Sequence, residues 1–152
     1  VPNRGAIFPE DGLALYEKHG YSPAIRSGDL LFVSGQVGSL CDGTPEPDYE
    51  AQVRLAYENL KATLAAGGCT FDDIVDVTVF HTVPPDQTAE DAGVRAGIRS
   101  RVRSEKFPQS PFTNITAIGV NWLAGFDFEI KVIARVPSKS SPRPPISADP
   151  TT

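Results

Sequence analysis

The spacing of apolar and polar positions changes period along the chain, and each change marks an element. Residues 24–27 and 30–37 predict a β-hairpin, with "SGD" as the turn and "LLFVSGQV" rich in strand formers. The run 30–33 is apolar at every position, which predicts a strand covered on both faces. In "PDYEAQVRLAYENLKATLAAGG" the period shifts to helical, with Val53, Ala56, Tyr57, Leu60 and Leu64 on one stripe. Asp48 is placed to cap its first turn, Glu50 and Arg54 form an i,i+4 pair, and Gly67 and Gly68 can take the left-handed conformation that ends a helix. "FDDIVDVTVFHTV" predicts a buried strand through Ile74, Val75, Val77, Val79 and Phe80, stopped by Pro84 and Pro85. "TAEDAGVRAGIRSRVRSE" predicts a second helix opened by a Thr88–Asp91 capping box and weakened by Gly93 and Gly97. "TNITAIGVNWL" and "FDFEIKVIARV" predict two more strands. In the second, Phe126, Phe128, Ile130, Val132 and Ala134 share one face, and Asp127, Glu129, Lys131 and Ile133 share the other.

The predicted order is strand, strand, helix, strand, helix, strand, strand. That is an α+β layer, a mixed sheet with two helices packed on one face. The other face keeps apolar positions, which predicts burial against further subunits. A length of 152 residues favours one domain, over residues 1–137. The Pro- and Ser-rich stretch 138–152 has no apolar pattern and is expected to be disordered.

Composition narrows the function. No apolar run approaches the ~20 residues of a membrane span. Charge, Pro and Gly interrupt the N-terminal stretch, so it does not resemble a signal peptide and a cytoplasmic protein is expected. A net charge of −5 argues against nucleic-acid binding, which rests on neutralising phosphates. The basic run "VRAGIRSRVRSEK", with Arg95, Arg99, Arg101, Arg103 and Lys106, reads as a solvated helix face. Cys41 and Cys69 fit no metal or redox spacing and are expected to be free thiols, Cys69 buried. His19 and His81 are too scattered for zinc, so no metal site is expected.

Several separated stretches, in order, resemble the RidA family, also called YjgF or RutC. They are Tyr21, Ser22, Ala24, Arg26, Gly28 and Val33 to Gln36, then "EAQVRLAYENLKATLAAGG", "DDIVDVTVF" and "EIKVIA". The ending "WLAGFDFEIKVIAR" looks most like a YjgH-like branch. The resemblance covers roughly residues 6–136. It implies a chorismate-mutase-like fold, a homotrimer, and small-molecule clefts between subunits. It also implies hydrolysis of enamines and imines such as 2-aminoacrylate, without metal or organic cofactor, while the charge and the apolar pattern leave no expectation of a nucleic-acid or membrane partner. By the same resemblance Glu129 and Ser34 are catalytic, Glu129 positioning or activating water, while Tyr21 and Gly35 line the pocket. Gly35 lets a ligand approach the main chain closely.

The chain departs from the family at one place. Deaminating members carry an arginine whose guanidinium pairs with the substrate carboxylate. Here the corresponding stretch is "SPFTNITAIGV". Asn114 falls at the arginine position when counted back from Glu129, and Thr113 when anchored on Pro111. Neither is cationic, so altered specificity is expected, either for a ligand lacking a carboxylate or for one held instead by Arg26 or by a neighbouring subunit's arginine.

Plain structural roles compete at each position. Glu129 could be a surface acid, Ser34 could bond its own strand end, Tyr21 could pack at an interface, Trp122 could pack at an interface or in the core, and His81 could be a satisfied structural histidine. Three functions remain: an imine or enamine deaminase of altered specificity, a non-catalytic ligand-binding trimer, and an endoribonuclease of the L-PSP type. The acidic charge and the lack of a histidine acid–base pair disfavour the last.

Overall fold

Phe128, Ile130, Val132 and Ala134 are buried, while Lys131 and Arg135 between them are exposed. This period-two pattern makes Phe128–Arg135 the central strand. The computed structural model describes residues 5–9, 13–107 and 113–138. The proposed C-terminal tail therefore lies, from residue 139 on, outside the described residues, as does Pro111.

The elements in chain order are β1 (Gly5–Ile7), α1 (Leu13–His19), β2 (Ala24–Ser27), β3 (Leu30–Val33), β4 (Gln36–Val37), α2 (Tyr49–Ala66), β5 (Ile74–Thr82), α3 (Ala89–Lys106), β6 (Thr116–Val120) and β7 (Phe128–Arg135). A one-turn 3-10 helix, Phe71–Asp73, leads into β5. The strands form one mixed sheet in the order β1-β2-β3-β7-β5-β6, with β4 also paired to β7. Among the described residues, β5 and β6 are the one parallel pair. This is the mixed α+β sheet expected from the sequence, with two additions, the short β1 and α1, that the apolar pattern does not predict.

The stripe predicted for α2 is its buried face: Val53, Ala56, Tyr57, Leu60 and Leu64 are all at most 1% exposed. Burial of each large side chain contributes on the order of 1.5–3 kcal/mol. The Tyr57 ring stacks on Phe128 at 6.1 Å and meets Phe107 edge-on at 6.3 Å, tying α2 to β7 and to the end of α3. Asp48 caps α2 by accepting from the Ala51 amide, and Thr88 with Asp91 closes the capping box of α3.

At the end of α2 only Gly68 is left-handed, with φ of 77°. Gly67, with φ of −86°, is needed for space, because a Cβ there would meet the Leu31 side chain.

Two expectations for residues 30–37 change. The stretch is not one strand, since it breaks at Ser34–Gly35 into β3 and β4. Nor is β3 covered on both faces within the chain: Leu31 and Val33 are buried, but Phe32 is 40% exposed. Directly paired residues share a face. Phe32 pairs with Ile133, Lys131 with Thr78, Glu129 with both Phe80 and Val37, and Phe80 with Ile118, all on the face away from α2.

Candidate functional site

The break between β3 and β4 is held by three hydrogen bonds to Ser34. Its amide donates to the Pro23 carbonyl at 2.8 Å, its hydroxyl to the Ser22 carbonyl at 2.7 Å, and its own carbonyl accepts from Gln36 Nε2 at 3.1 Å. Gln36 is 3% exposed and in turn accepts from the Thr63 hydroxyl of α2. A buried amide needs such partners, and by finding them in the turn itself Gln36 fixes the corner. The Ser34 hydroxyl proton is thus engaged, which leaves its oxygen as an acceptor towards a ligand.

The corner meets Glu129 of β7. A Cβ built on Gly35 would lie inside the Glu129 carboxyl group, so only glycine lets the acid rest against the main chain here. Burial pushes the Glu129 carboxyl above the usual glutamate range, and the Lys131 ammonium, two residues along the same face, pulls the other way. Tyr21 completes the group. Its phenol is pushed upward by burial first, then by Tyr16 and by the Glu129 charge, which places it within electrostatic reach of the acid. The Tyr21 ring is half exposed and packs edge-on against Tyr16 at 5.1 Å, while the Tyr16 hydroxyl bonds the Gln36 side chain. An open aromatic ring, a glycine corner and a carboxyl group of raised proton affinity stand together, and a carboxyl so placed is chemically able to move a proton to or from a molecule beside it.

The chain brings together Tyr21, Ser34, Gly35 and Glu129, but not Asn114 and Thr113. Asn114 lies just before β6, where its Nδ2 donates to Asp76 Oδ1 at 2.8 Å. In the sheet register Ile118, not Asn114, is level with Phe80 and Glu129. Two strand spacings and four residues separate Asn114 from Glu129, roughly 16 Å.

His81 faces α3, opposite Glu129, and its pKa is lowered by burial and by Arg99 and Arg95. Trp122 is 73% exposed, which rules out the core role weighed for it. Arg26 donates from Nε to the Gly28 carbonyl within its own hairpin. It pairs with Leu31, on the face opposite Glu129, so within the chain it does not reach the Glu129 corner.

Sequence reasoning missed Tyr16, Gln36 and Lys131. Lys131 had a signal, since the alternation of β7 puts it beside Glu129. The partners of Gln36 and Tyr16 come only with the fold. Among the described residues no group of three or more His, Cys, Asp or Glu is placed to hold a metal ion.

This fold and corner define a class, a small mixed-sheet protein with a partly buried acid set against a glycine corner on the open face of the sheet. The chain belongs to the family described as Endoribonuclease L-PSP, whose model matches residues 12–136. The RutC family protein YjgH of Escherichia coli K12 is 62% identical over 136 residues, spanning 90% of this chain and 98% of that protein. The solved structure of YjgH superposes with a TM-score of 0.79 at 60% identity, covering 90% of this chain and 98% of that one. RidA from the Antarctic bacterium Psychrobacter sp. PAMC 21119 gives a TM-score of 0.65 at 25% identity, covering 76% and 88%. A partial match is the Escherichia coli K12 protein "Putative reactive intermediate deaminase TdcF", 39% identical over 64 residues, 41% of this chain and 49% of that protein. The resemblance to RidA and to its YjgH-like branch therefore holds. No helix among the described residues is long and apolar enough to cross a membrane.

Proposed function

We propose that the protein hydrolyses small imines or enamines without a carboxylate, in clefts between the subunits of a homotrimer. The observation that carries this reading is the Glu129 carboxyl seated against Gly35, with its proton affinity raised by burial. A carboxyl whose pKa moves towards neutrality is better suited to both halves of the reaction. Water adds to the carbon of the protonated imine, which an enamine also reaches by protonation at its β-carbon, as the Glu129 carboxylate takes a proton from the water, giving a neutral carbinolamine. The carboxylic acid then gives that proton to the nitrogen, and the carboxylate takes up the hydroxyl proton as the C–N bond breaks, releasing carbonyl compound and amine or ammonia. Ser34 accepts a hydrogen bond from the ligand, Tyr21 covers it, and Gly35 gives it room. Asn114 or Thr113 reaches the cleft from a second copy, offering neutral donors and acceptors where an arginine would hold a carboxylate.

The name of TdcF supports a deaminating chemistry, and the absent guanidinium supports the change of substrate. The test compares 2-aminoacrylate with imines bearing uncharged substituents, following carbonyl product and released nitrogen. We expect turnover of the uncharged imines and little ammonia from 2-aminoacrylate. Gly35→Ala, whose methyl would displace the Glu129 carboxyl, should lower kcat/KM by about 100-fold or more. Efficient turnover of 2-aminoacrylate, or an unaffected Gly35→Ala enzyme, refutes the reading.

A non-catalytic ligand-binding trimer is the second reading, favoured by the Asn114 amide being tied to Asp76. Binding of an uncharged imine analogue without turnover would select it.

A further inference from the structure

The basic run of α3 is not uniformly solvated. Arg95 pairs with Asp127 at 3.3 Å, Arg101 with Glu50, and Lys106 with Glu58 at 2.7 Å. Two cations are left without a carboxylate among the described residues. Among the described residues Arg99 donates to the neutral Tyr49 hydroxyl, at 2.8 Å, and the Arg103 guanidinium has no ion pair or side-chain hydrogen bond. These two, one helical turn apart, both line a cavity of about 170 Å3 between α3 and the sheet. The rest of its wall is largely apolar, with Val79, Ile115, Ala117 and Phe128. Like charges at i,i+4 on a helix repel, and a guanidinium beside apolar wall is a strong partner for a planar anion.

We propose that this cavity is a second ligand site, binding a small organic carboxylate with an apolar body. The carboxylate bridges Arg99 and Arg103, and the body rests on Val79, Ala117 and Phe128. The volume lies below the roughly 300–1,000 Å3 typical of drug-sized ligands, so the ligand is a small metabolite. The lowered pKa of His81, caused partly by Arg99, fits the positive potential left unneutralised here. The site is distinct from the Glu129 cleft, because Val79 and Ala117 point to the helix side of the sheet while their neighbours Phe80 and Ile118 share the face of Glu129.

Phenylacetate and its neutral isostere phenylacetamide are the probes, titrated into the full-length protein and followed by amide chemical shifts. Phenylacetate should saturate, shifting the amides of Ser100 and Ala117, and phenylacetamide should bind at least about tenfold more weakly. Arg103→Gln should weaken phenylacetate by about tenfold or more, and Ala117→Phe, which fills the cavity, should abolish binding. Glu129→Ala should leave binding unchanged. The proposal is overturned if phenylacetate does not saturate, if the amide binds equally well, or if Glu129→Ala removes binding while Arg103→Gln preserves it. The acid-to-amide ratio needs only the wild-type protein, so a misfolded variant does not spoil the test.

Discussion

Glu129 sits between a main-chain corner and an ammonium, and these act on its proton in opposite senses. Burial favours the neutral acid and Lys131 favours the carboxylate. If Glu129 is the base of the reaction, activity rises with pH as its proton leaves, and the midpoint of that rise lies above the ~4.3 of an unperturbed glutamate. Lys131→Met removes the only opposing charge, so the acid limb of kcat/KM should move to higher pH. A pH–rate profile of the two proteins checks this, and a limb that stays put or moves to lower pH removes Glu129 from the role of base. The sequence shows the ingredients at this scale, because the alternation of β7 alone places Glu129 and Lys131 on one face. It does not show why Gly35 must be glycine. That reason is the Glu129 carboxyl arriving from a strand almost a hundred positions later, a contact that local pattern does not encode.

Elements were legible where the signal is local and long. α2 has a five-residue apolar stripe and an aspartate cap, and α3 has a capping box, so both appear where the sequence puts them. β1 spans three residues and α1 seven, too short for a period to declare itself. The break between β3 and β4 was hidden for a different reason: "LLFVSGQV" has the composition of one strand, and the corner depends on Gln36 bonding Ser34 and Thr63. The α3 cap gives a prediction independent of function. Thr88→Ala deletes an acceptor for the Asp91 amide and should cost about 1 kcal/mol in urea denaturation. Because α3 buries only Val102 fully, its end has little packing to compensate. A loss well under half that size would mean that the helix is held by its ion pairs to α2 instead.

At the scale of the molecule, the side of the sheet away from α2 is the feature that a single chain leaves unexplained. Phe32 and Ile118 are 40% and 39% exposed there, flanking half-buried Phe80 and Ile133 across neighbouring strands. Scattered exposed apolar side chains are ordinary, but Phe32 with Ile133 and Phe80 with Ile118, two apolar pairs set on either side of the Lys131–Thr78 row of one sheet face, are the kind of positions that proteins cover. The distance from Asn114 to Glu129 points the same way, since a cleft that uses both positions has to be completed by another copy. Phe32→Asp and Ile118→Asp each place a charge in the middle of such an interface, where an unpaired buried carboxylate is costly. Both substitutions sit on open positions of the single chain, so the subunit fold should persist. Sedimentation velocity should then show a trimer for the unaltered protein and a folded monomer for each variant, with imine hydrolysis lost in step. A variant that runs as a monomer yet keeps full activity would confine the reaction to one chain and remove Asn114 and Thr113 from it. An unaltered protein that is monomeric at micromolar concentration would leave the apolar face to another partner and end the case for clefts shared between copies.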